Sequence, residues 1–208
     1  MLRILLVRHG ETEWNRERRI MGREEIGLTE TGRYQALALK EGLASVPIDT
    51  VYTSPILRAR ETANILTEER DLQPIFDERL VEVSYGEWVG KTFAEIREIP
   101  GYIPYFKRLD TPVAPQGETL FQVRDRAIDF IRQLQKESPD QTVLLVSHAD
   151  WIKCLLMEIL GIPFANIWKF RIDNVSVSLY EWDHSGERIV CINQRGDLDR
   201  LFVTRFAF

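Results

Sequence analysis

Three short apolar runs in this chain of 208 residues end in the same way. LRILLV (2–7) leads into Arg8 and His9, DTVYT (49–53) into Ser54 and Pro55, and TVLLV (142–146) into Ser147 and His148. Short runs rich in aliphatic and β-branched side chains suit strands buried on both faces of a sheet. In a parallel sheet the carboxyl ends of such strands lie along one edge, which is where ligands bind. The polar residues that close the three runs would therefore meet there.

Between these runs, strand-like and helix-like segments alternate without internal repeats or low-complexity tracts. Strands are predicted at 2–7, 49–53, 142–147, 175–182 and 188–193. The last two flank Asp183-His184-Ser185-Gly186 and read as an antiparallel hairpin, with His184 on the surface. Thr29 is placed to cap a helix running to about Ser45, and Ser54 to cap another with Pro55 in its first helical position. Leu120, Val123, Ala127, Phe130, Ile131 and Leu134 recur at helical spacing. A fourth helix follows TVLLVSH and stops at Gly161, with Pro163 beyond it. This order predicts a three-layer α/β/α sandwich, its sheet mainly parallel with a C-terminal antiparallel hairpin.

A chain of this length buries about 70% of its unfolded surface, so one domain over 1–208 needs neither disulfide nor structural metal. Residues 92–117 depart from the alternation. They hold Tyr102, Tyr105, Phe106, Lys107 and Arg108 among four prolines, the composition of a lid-like insertion.

The net charge of -5 argues against a nucleic-acid partner. Cys154 and Cys191 lack CxxC spacing and the density of a secreted scaffold, which points to a reducing compartment and hence the cytoplasm. The apolar stretch at the N-terminus is too short for a secretory signal, and no run reaches the roughly 18 residues of a membrane span, so no membrane partner is expected. A homodimer is compatible with the sequence.

At the shared edge stand two histidines, two arginines (Arg8 and Arg58) and two helix N-termini. Helix N-termini offer unpaired N–H groups and a positive dipole, and arginine offers a planar donor fork. Such a site suits an oxyanion, a phosphoryl group above all. Each residue also has a plainer reading: His9 as a capped strand-end histidine, Arg58 as a helix-surface arginine, Asn15 as a turn residue, His148 as a satisfied core histidine.

RHGETEWN (8–15), GREEIGLTETGRYQA (22–36), VYTSPILRARETA (51–63), LVEVSYGEWVG (80–90), APQGET (114–119) and VSHAD (146–150) together resemble the histidine phosphatase superfamily, the phosphoglycerate-mutase-like proteins. The resemblance spans nearly the whole chain. It implies a phosphohistidine formed on His9, with a backbone carbonyl fixing the ring tautomer. Two arginines lower the pKa of such a histidine and a bound phosphate raises it, so a value not far from neutral is expected, its direction undetermined. Arg8, Asn15, Arg58, His148 and the N–H of Ala149 would neutralise the phosphoryl oxygens.

Glu82 fits the place of the general acid, and Leu80, Val81, Val83, Tyr85 and Trp88 around it should raise its pKa. Glu87 is the competing carboxylate, matching a peripheral acidic position of the family. Arg23, Trp88, Lys91 and Asp150 are candidates for the substrate rim; for Lys91, Lys107 and Arg108 a solvated surface is the alternative. SHAD stands here where SHGG is usual, which alters the pocket. Asp150 reads first as a helix-start residue interacting with N–H groups and the dipole.

YGEWVG and the lack of a long basic insertion resemble the phosphatase branch rather than the cofactor-dependent mutases. The expected enzyme hydrolyses small phosphomonoesters such as sugar or glycerate phosphates, without cofactor or metal. A phosphomutase is the alternative. Two readings from other classes are a His₂Glu zinc site at His9, His148 and Glu82, and a non-catalytic phospho-ligand binder.

Overall fold

A computed structural model describes residues 1–104, 107, 109–196 and 198. Tyr105, Phe106 and Arg108 of the lid-like insertion lie outside the described residues.

The three runs form three adjacent strands. β1 (Leu2–Arg8) pairs in parallel with β4 (Thr142–Ser147), and β4 with β2 (Thr50–Thr53). β3 (Ile75–Phe76) extends the parallel part, while β5 (Val177–Asp183) and β6 (Gly186–Gln194) add antiparallel strands beside β1. The sheet order is β3-β2-β4-β1-β5-β6. Alternate side chains feed two cores. Ile4, Leu6, Val143 and Leu145 pack under α5 (Leu120–Glu137) and α6 (Ala149–Ile159), while Leu5, Val7, Leu144 and Val146 pack under α2 (Glu30–Gly42) and α3 (Leu57–Thr67). Helices thus cover both faces, as the unbroken apolar runs require.

The register fixes the edge. Arg8 lies opposite Ser147, and Thr53 opposite Val146, so the three strands run out together and release His9, Ser54 and His148 side by side. Thr119 caps α5 through a capping box with Gln122, and all six residues of its predicted stripe are buried. Burying each aliphatic or aromatic member of that stripe contributes about 1.5–3 kcal/mol. Gly161, at φ +62, ends the turn after α6 as expected.

Four local readings need correction. Thr29 caps α2, but that helix ends at Gly42, short of Ser45. Ser54 does not cap α3: that helix begins at Leu57 after Ile56, and the Ser54 hydroxyl accepts from Ile56 N at 3.3 Å and meets His148 Nε2 at 2.8 Å. β5 begins at Val177 rather than 175, because Val175 sits at φ 54, a left-handed conformation costly for a β-branched residue. Its N–H bonds the Arg8 carbonyl at 3.0 Å, which ties this strained residue to the end of β1. β3 was not expected; two exposed residues on an edge carry no apolar periodicity to announce it.

The glycine of the RHG triplet serves close approach. A Cβ on Gly10 would meet the carbonyl oxygen of Gly32 at 2.7 Å, and one on Gly32 would meet that of Glu11 at 2.2 Å. The loop after His9 is packed backbone to backbone against the start of α2.

Candidate active site

A cavity of about 530 Å³ opens over the carboxyl ends of β1, β2 and β4. Arg8, His9, Asn15, Arg58, Glu82, Ala149 and Asp150 all line it, so the structure brings together most of the residues singled out from sequence.

His9 is 1% exposed. Its Nδ1 lies 2.7 Å from the Gly10 carbonyl oxygen, which fixes the proton on Nδ1 and leaves Nε2 as the lone pair. Arg58 donates its Nε–H to that Nε2 at 3.1 Å. Burial, then Arg58, then Arg8 hold the His9 pKa well below the usual histidine range, so its direction is downward. Arg58 is fully buried, and its two terminal nitrogens donate to the carbonyls of Glu24 and Gly22 at 2.9 and 2.7 Å. Burial brings its pKa down to about 10, which leaves it charged at neutral pH. The helix-surface reading of Arg58 is excluded.

Arg8 donates to the Ile172 carbonyl at 2.7 Å, and its Nε is a buried donor without a hydrogen-bond partner among the described residues. Asn15 belongs to α1 (Glu13–Arg16) and closes a capping box with Thr12. Its Oδ1 accepts from Thr12 N at 3.1 Å, which leaves the amide NH₂ as the group able to donate to an anion. Asn15 is thus both a turn residue and part of the cavity wall.

His148 does not line the cavity. Its ring lies beside that of His9, tilted, with centroids 5.2 Å apart, and is fully buried. The Ser54 hydroxyl accepts from Ile56 N, so its own proton is available to His148 Nε2. Nδ1 of the same ring is a buried nitrogen without a hydrogen-bond partner among the described residues. Burial, then Arg58 and His9, press its pKa well below the usual range. Ala149 is the first residue of α6, whose N–H has no partner within the helix.

Glu82 is 7% exposed and stands on a loop held from three sides. Ser147 Oγ donates to the Leu80 carbonyl at 2.8 Å, Trp151 Nε1 to that of Arg79 at 2.6 Å, and Arg126 to those of Arg79, Val81 and Glu82 at 2.9, 2.6 and 3.2 Å. Its carboxylate accepts from the N–H groups of Val83 at 3.0 Å and Asp150 at 3.4 Å. Burial raises its pKa, and the neighbouring Asp150 carboxylate raises it further. Glu87 by contrast is exposed and accepts from Gln116 at 2.9 Å, outside the cavity.

The rim differs from expectation. Trp88 is 5% exposed, stacked near Tyr102 in the core, and does not line the cavity. Lys91 turns to the Glu87 carbonyl at 2.5 Å, and Arg23 to Glu118 at 2.7 Å; neither reaches the wall. Lys107 is exposed. Trp14, Met21, Phe93 and Phe170 supply the apolar rim instead, with Arg18, Lys153 and Arg171 as cations. Asp150 does line it, but accepts from Tyr85 OH and from Lys153 Nζ at 3.0 Å rather than from helix N–H groups.

Tyr85, Arg126, Lys153 and Asn174 were missed from sequence. Asn174 donates to the His9 carbonyl at 3.0 Å and to Asn15 Oδ1 at 3.2 Å. Lys153 shares a face of α6 with Asp150 at i,i+3, a spacing that was open to reading. Among the described residues, no three His, Cys, Asp or Glu side chains are grouped to hold a metal ion.

Comparison with known proteins gives a consistent result. Residues 4–195 match the model of the histidine phosphatase superfamily (branch 1). The chain is 31% identical over 207 residues to phosphoserine phosphatase 1 of Hydrogenobacter thermophilus, covering 98% of this chain and 97% of that protein. It is 34% identical to a probable phosphoglycerate mutase, GpmB, of Cronobacter sakazakii, over 89% and 87% of the two chains. Among solved structures, phosphoserine phosphatase of Entamoeba histolytica in complex with 3-phosphoglyceric acid superposes with a TM-score of 0.85 at 29% identity, covering 95% of this chain and all of that one.

Proposed function

The chain belongs to the histidine phosphatase superfamily and hydrolyses phosphomonoesters, and from that premise we propose that His9 and Glu82 carry the two halves of the reaction. The observation that carries the reading is the His9 ring: Nδ1 is held by Gly10 O, and Nε2 stays unprotonated beside Arg58 in the wall of the cavity. Nε2 attacks phosphorus, the bond from phosphorus to the ester oxygen breaks, and Glu82 gives its proton to that oxygen. Water then attacks the phosphohistidine and passes a proton to the Glu82 carboxylate, while the P–N bond breaks and phosphate leaves.

Charge development is met by Arg8, Arg58, the Asn15 amide and the Ala149 N–H. Arg18 on the rim, beside the ion-paired Arg19, Lys153 and Arg171, favours a small substrate with an acidic body, such as a glycerate phosphate or phosphoserine. Within a single domain, the described residues of 92–117 serve as a lid-like insertion: Phe93, which opens α4 (Phe93–Arg97), lines the cavity, while Ile96, Val113 and Ala114 anchor the segment in the core. The unpaired thiols of Cys154 and Cys191 support a cytoplasmic location.

The test is to quench the enzyme at alkaline pH after mixing with ³²P-labelled substrate. An acid-labile label on the wild type, absent from His9→Ala together with turnover, is expected. Label on serine or aspartate, or full activity in the variant, overturns the reading. The likeness to a phosphoglycerate mutase supports phosphomutase action as the second reading. Phosphate release from sugar phosphates, phosphoglycerates, nucleotides and phosphopeptides, with phosphoglycerate isomerisation assayed in parallel, separates the two.

A further inference from the structure

Glu82 and Asp150 form one buried acidic pair, each 7% exposed, in the wall of the cavity. Their surroundings are unequal. Asp150 accepts from the Lys153 ammonium at 3.0 Å and from the Tyr85 hydroxyl, two donors that favour its ionised form. Among the described residues, Glu82 accepts from backbone N–H groups alone, those of Val83 and of Asp150 itself. Two like charges in one poorly solvated place cannot both form cheaply.

We propose that Asp150 is a positioning residue for the proton of the reaction: clamped by Lys153 and Tyr85, it takes the negative charge of the pair and leaves the proton on Glu82. This rests on the assignment of Glu82 as the acid and explains what the aspartate of SHAD does. Tyr85 follows Glu82 by three residues, and Lys153 follows Asp150 by three, so the clamp is local on both sides. The directions agree. Burial alone would raise Asp150, but Lys153, the Tyr85 hydroxyl and Arg8 outweigh it and hold the pKa below the usual range, while Glu82 is raised.

Other charged or titratable groups face the pair. Arg8 comes from the end of β1 with His9 following it in the cavity wall, Arg58 from α3, Cys154 from α6, and Arg126 from α5. Arg23 donates to the Glu82 carbonyl at 3.2 Å, and Glu118 neutralises Arg23 and Arg126 at 2.7 and 3.3 Å. All of these are common to Glu82 with and without the Asp150 charge. Among the described residues that line the cavity, Asp150 is the one carboxylate besides Glu82.

The test follows decay of the phosphohistidine formed from p-nitrophenyl phosphate in a single turnover, across pH. Decay needs ionised Glu82, so its rate rises with pH to a plateau. In Asp150→Asn the midpoint should fall by about one pH unit or more, the size expected when an adjacent like charge is removed. A residue that merely supports the fold would change the plateau and leave the midpoint in place; that outcome overturns the proposal. Glu82→Gln in the same assay must lose the rise itself. If the rise persists, the assignment of Glu82 fails and the proposal falls with it, whereas loss of the rise with an unmoved Asp150→Asn midpoint sinks the proposal alone.

Should Asp150→Asn not fold, infrared spectra of the wild type and Glu82→Gln decide. One protonated carboxyl band, present at neutral pH and lost in Glu82→Gln, is expected. Retention of that band in Glu82→Gln overturns the assignment of the proton.

Discussion

Arg58 donates its Nε–H to His9 Nε2 at 3.1 Å, so the lone pair proposed to attack phosphorus is held by the cation proposed to receive the phosphoryl oxygens. On that proposal a bound phosphoryl group would compete for the donor, and an Arg58 hydrogen bond turned to a phosphoryl oxygen would release the nucleophile where its target sits.

Arg58→Ala should therefore lower kcat/KM by at least about 10²-fold, the scale of a lost charge-stabilising donor. It should also move the acid limb of the pH profile upward, because Arg58 is one of the groups holding the His9 pKa down. A steady-state pH series on both proteins checks this. A fall in rate with the acid limb unmoved would show that Arg58 does not act on His9.

Glu82→Gln should separate the half-reactions. With an alkyl phosphate, phosphoenzyme formation should slow by about 10²-fold or more, since the leaving alkoxide has no proton donor. With p-nitrophenyl phosphate it should slow much less, and the variant should show a burst of nitrophenol followed by slow dephosphorylation. Equal slowing of formation with both substrates, measured by rapid quench, would remove the acid role.

Burial of the two site histidines carries a cost in acid. His9 and His148 stay neutral in the folded protein well below 6.5, whereas in the unfolded chain each takes up a proton as pH falls through about 6.5. Folding stability supplied by the neutral rings is therefore complete above that pH and lost below it. Glu82, raised by burial, acts in the opposite sense, so the test compares slopes. As pH falls below about 6.5, the wild type should lose stability more steeply than His148→Gln in urea unfolding, by up to about 1.4 kcal/mol per pH unit. Equal slopes would mean that His148 is protonated in the folded state.

The parts of this molecule that were legible in the sequence are those with periodicity or motif spacing. The runs ending at Arg8-His9, Ser54 and Ser147-His148 specified the sheet edge, because continuous apolar strands must be covered on both faces. The stripe from Leu120 to Leu134 specified α5 in the same way. Trp88 and Lys91 misled for a common reason: they are near Glu82 in sequence, but the Gly86–Trp88 turn carries them away from the wall. The rim comes from Trp14, Phe93 and Phe170, whose meeting depends on loop paths that leave no periodic trace. Ser54 looked like a helix cap because Ser-Pro is a common helix start. Its hydroxyl is instead engaged by His148, 94 residues away, and no local pattern contains that contact.

Cationic side chains occupy the positions around the phosphoryl site, so activity should survive EDTA, and vanadate should inhibit by imitating the five-coordinate phosphoryl centre. Dialysis against chelator followed by assay with and without added zinc checks the first; inhibition constants for vanadate and phosphate check the second. Loss with EDTA and recovery with zinc would restore the metal-site reading of His9, His148 and Glu82.

Arg126 offers a test of how the acid is held in place. Its guanidinium donates to the carbonyls of Arg79, Val81 and Glu82 and pairs with Glu118 at 3.3 Å, but it does not line the cavity. Arg126→Met keeps most of the packed length while leaving partly buried carbonyls without their charged donor. Hydrogen bonds to charged groups contribute about 1.5–3 kcal/mol each, so stability should fall by an amount on that scale. Catalysis should fall as well, and for a separable reason: the loop presenting Glu82 loses the clamp that fixes its backbone, and a small misplacement of a proton donor is costly. If the loss acts only through Glu82, Arg126→Met should slow turnover in the wild-type background and hardly at all in Glu82→Gln. A double-mutant cycle on kcat for an alkyl phosphate reads this directly. Additive losses would show that Arg126 serves the site by another route, its charge acting on the phosphoryl group itself.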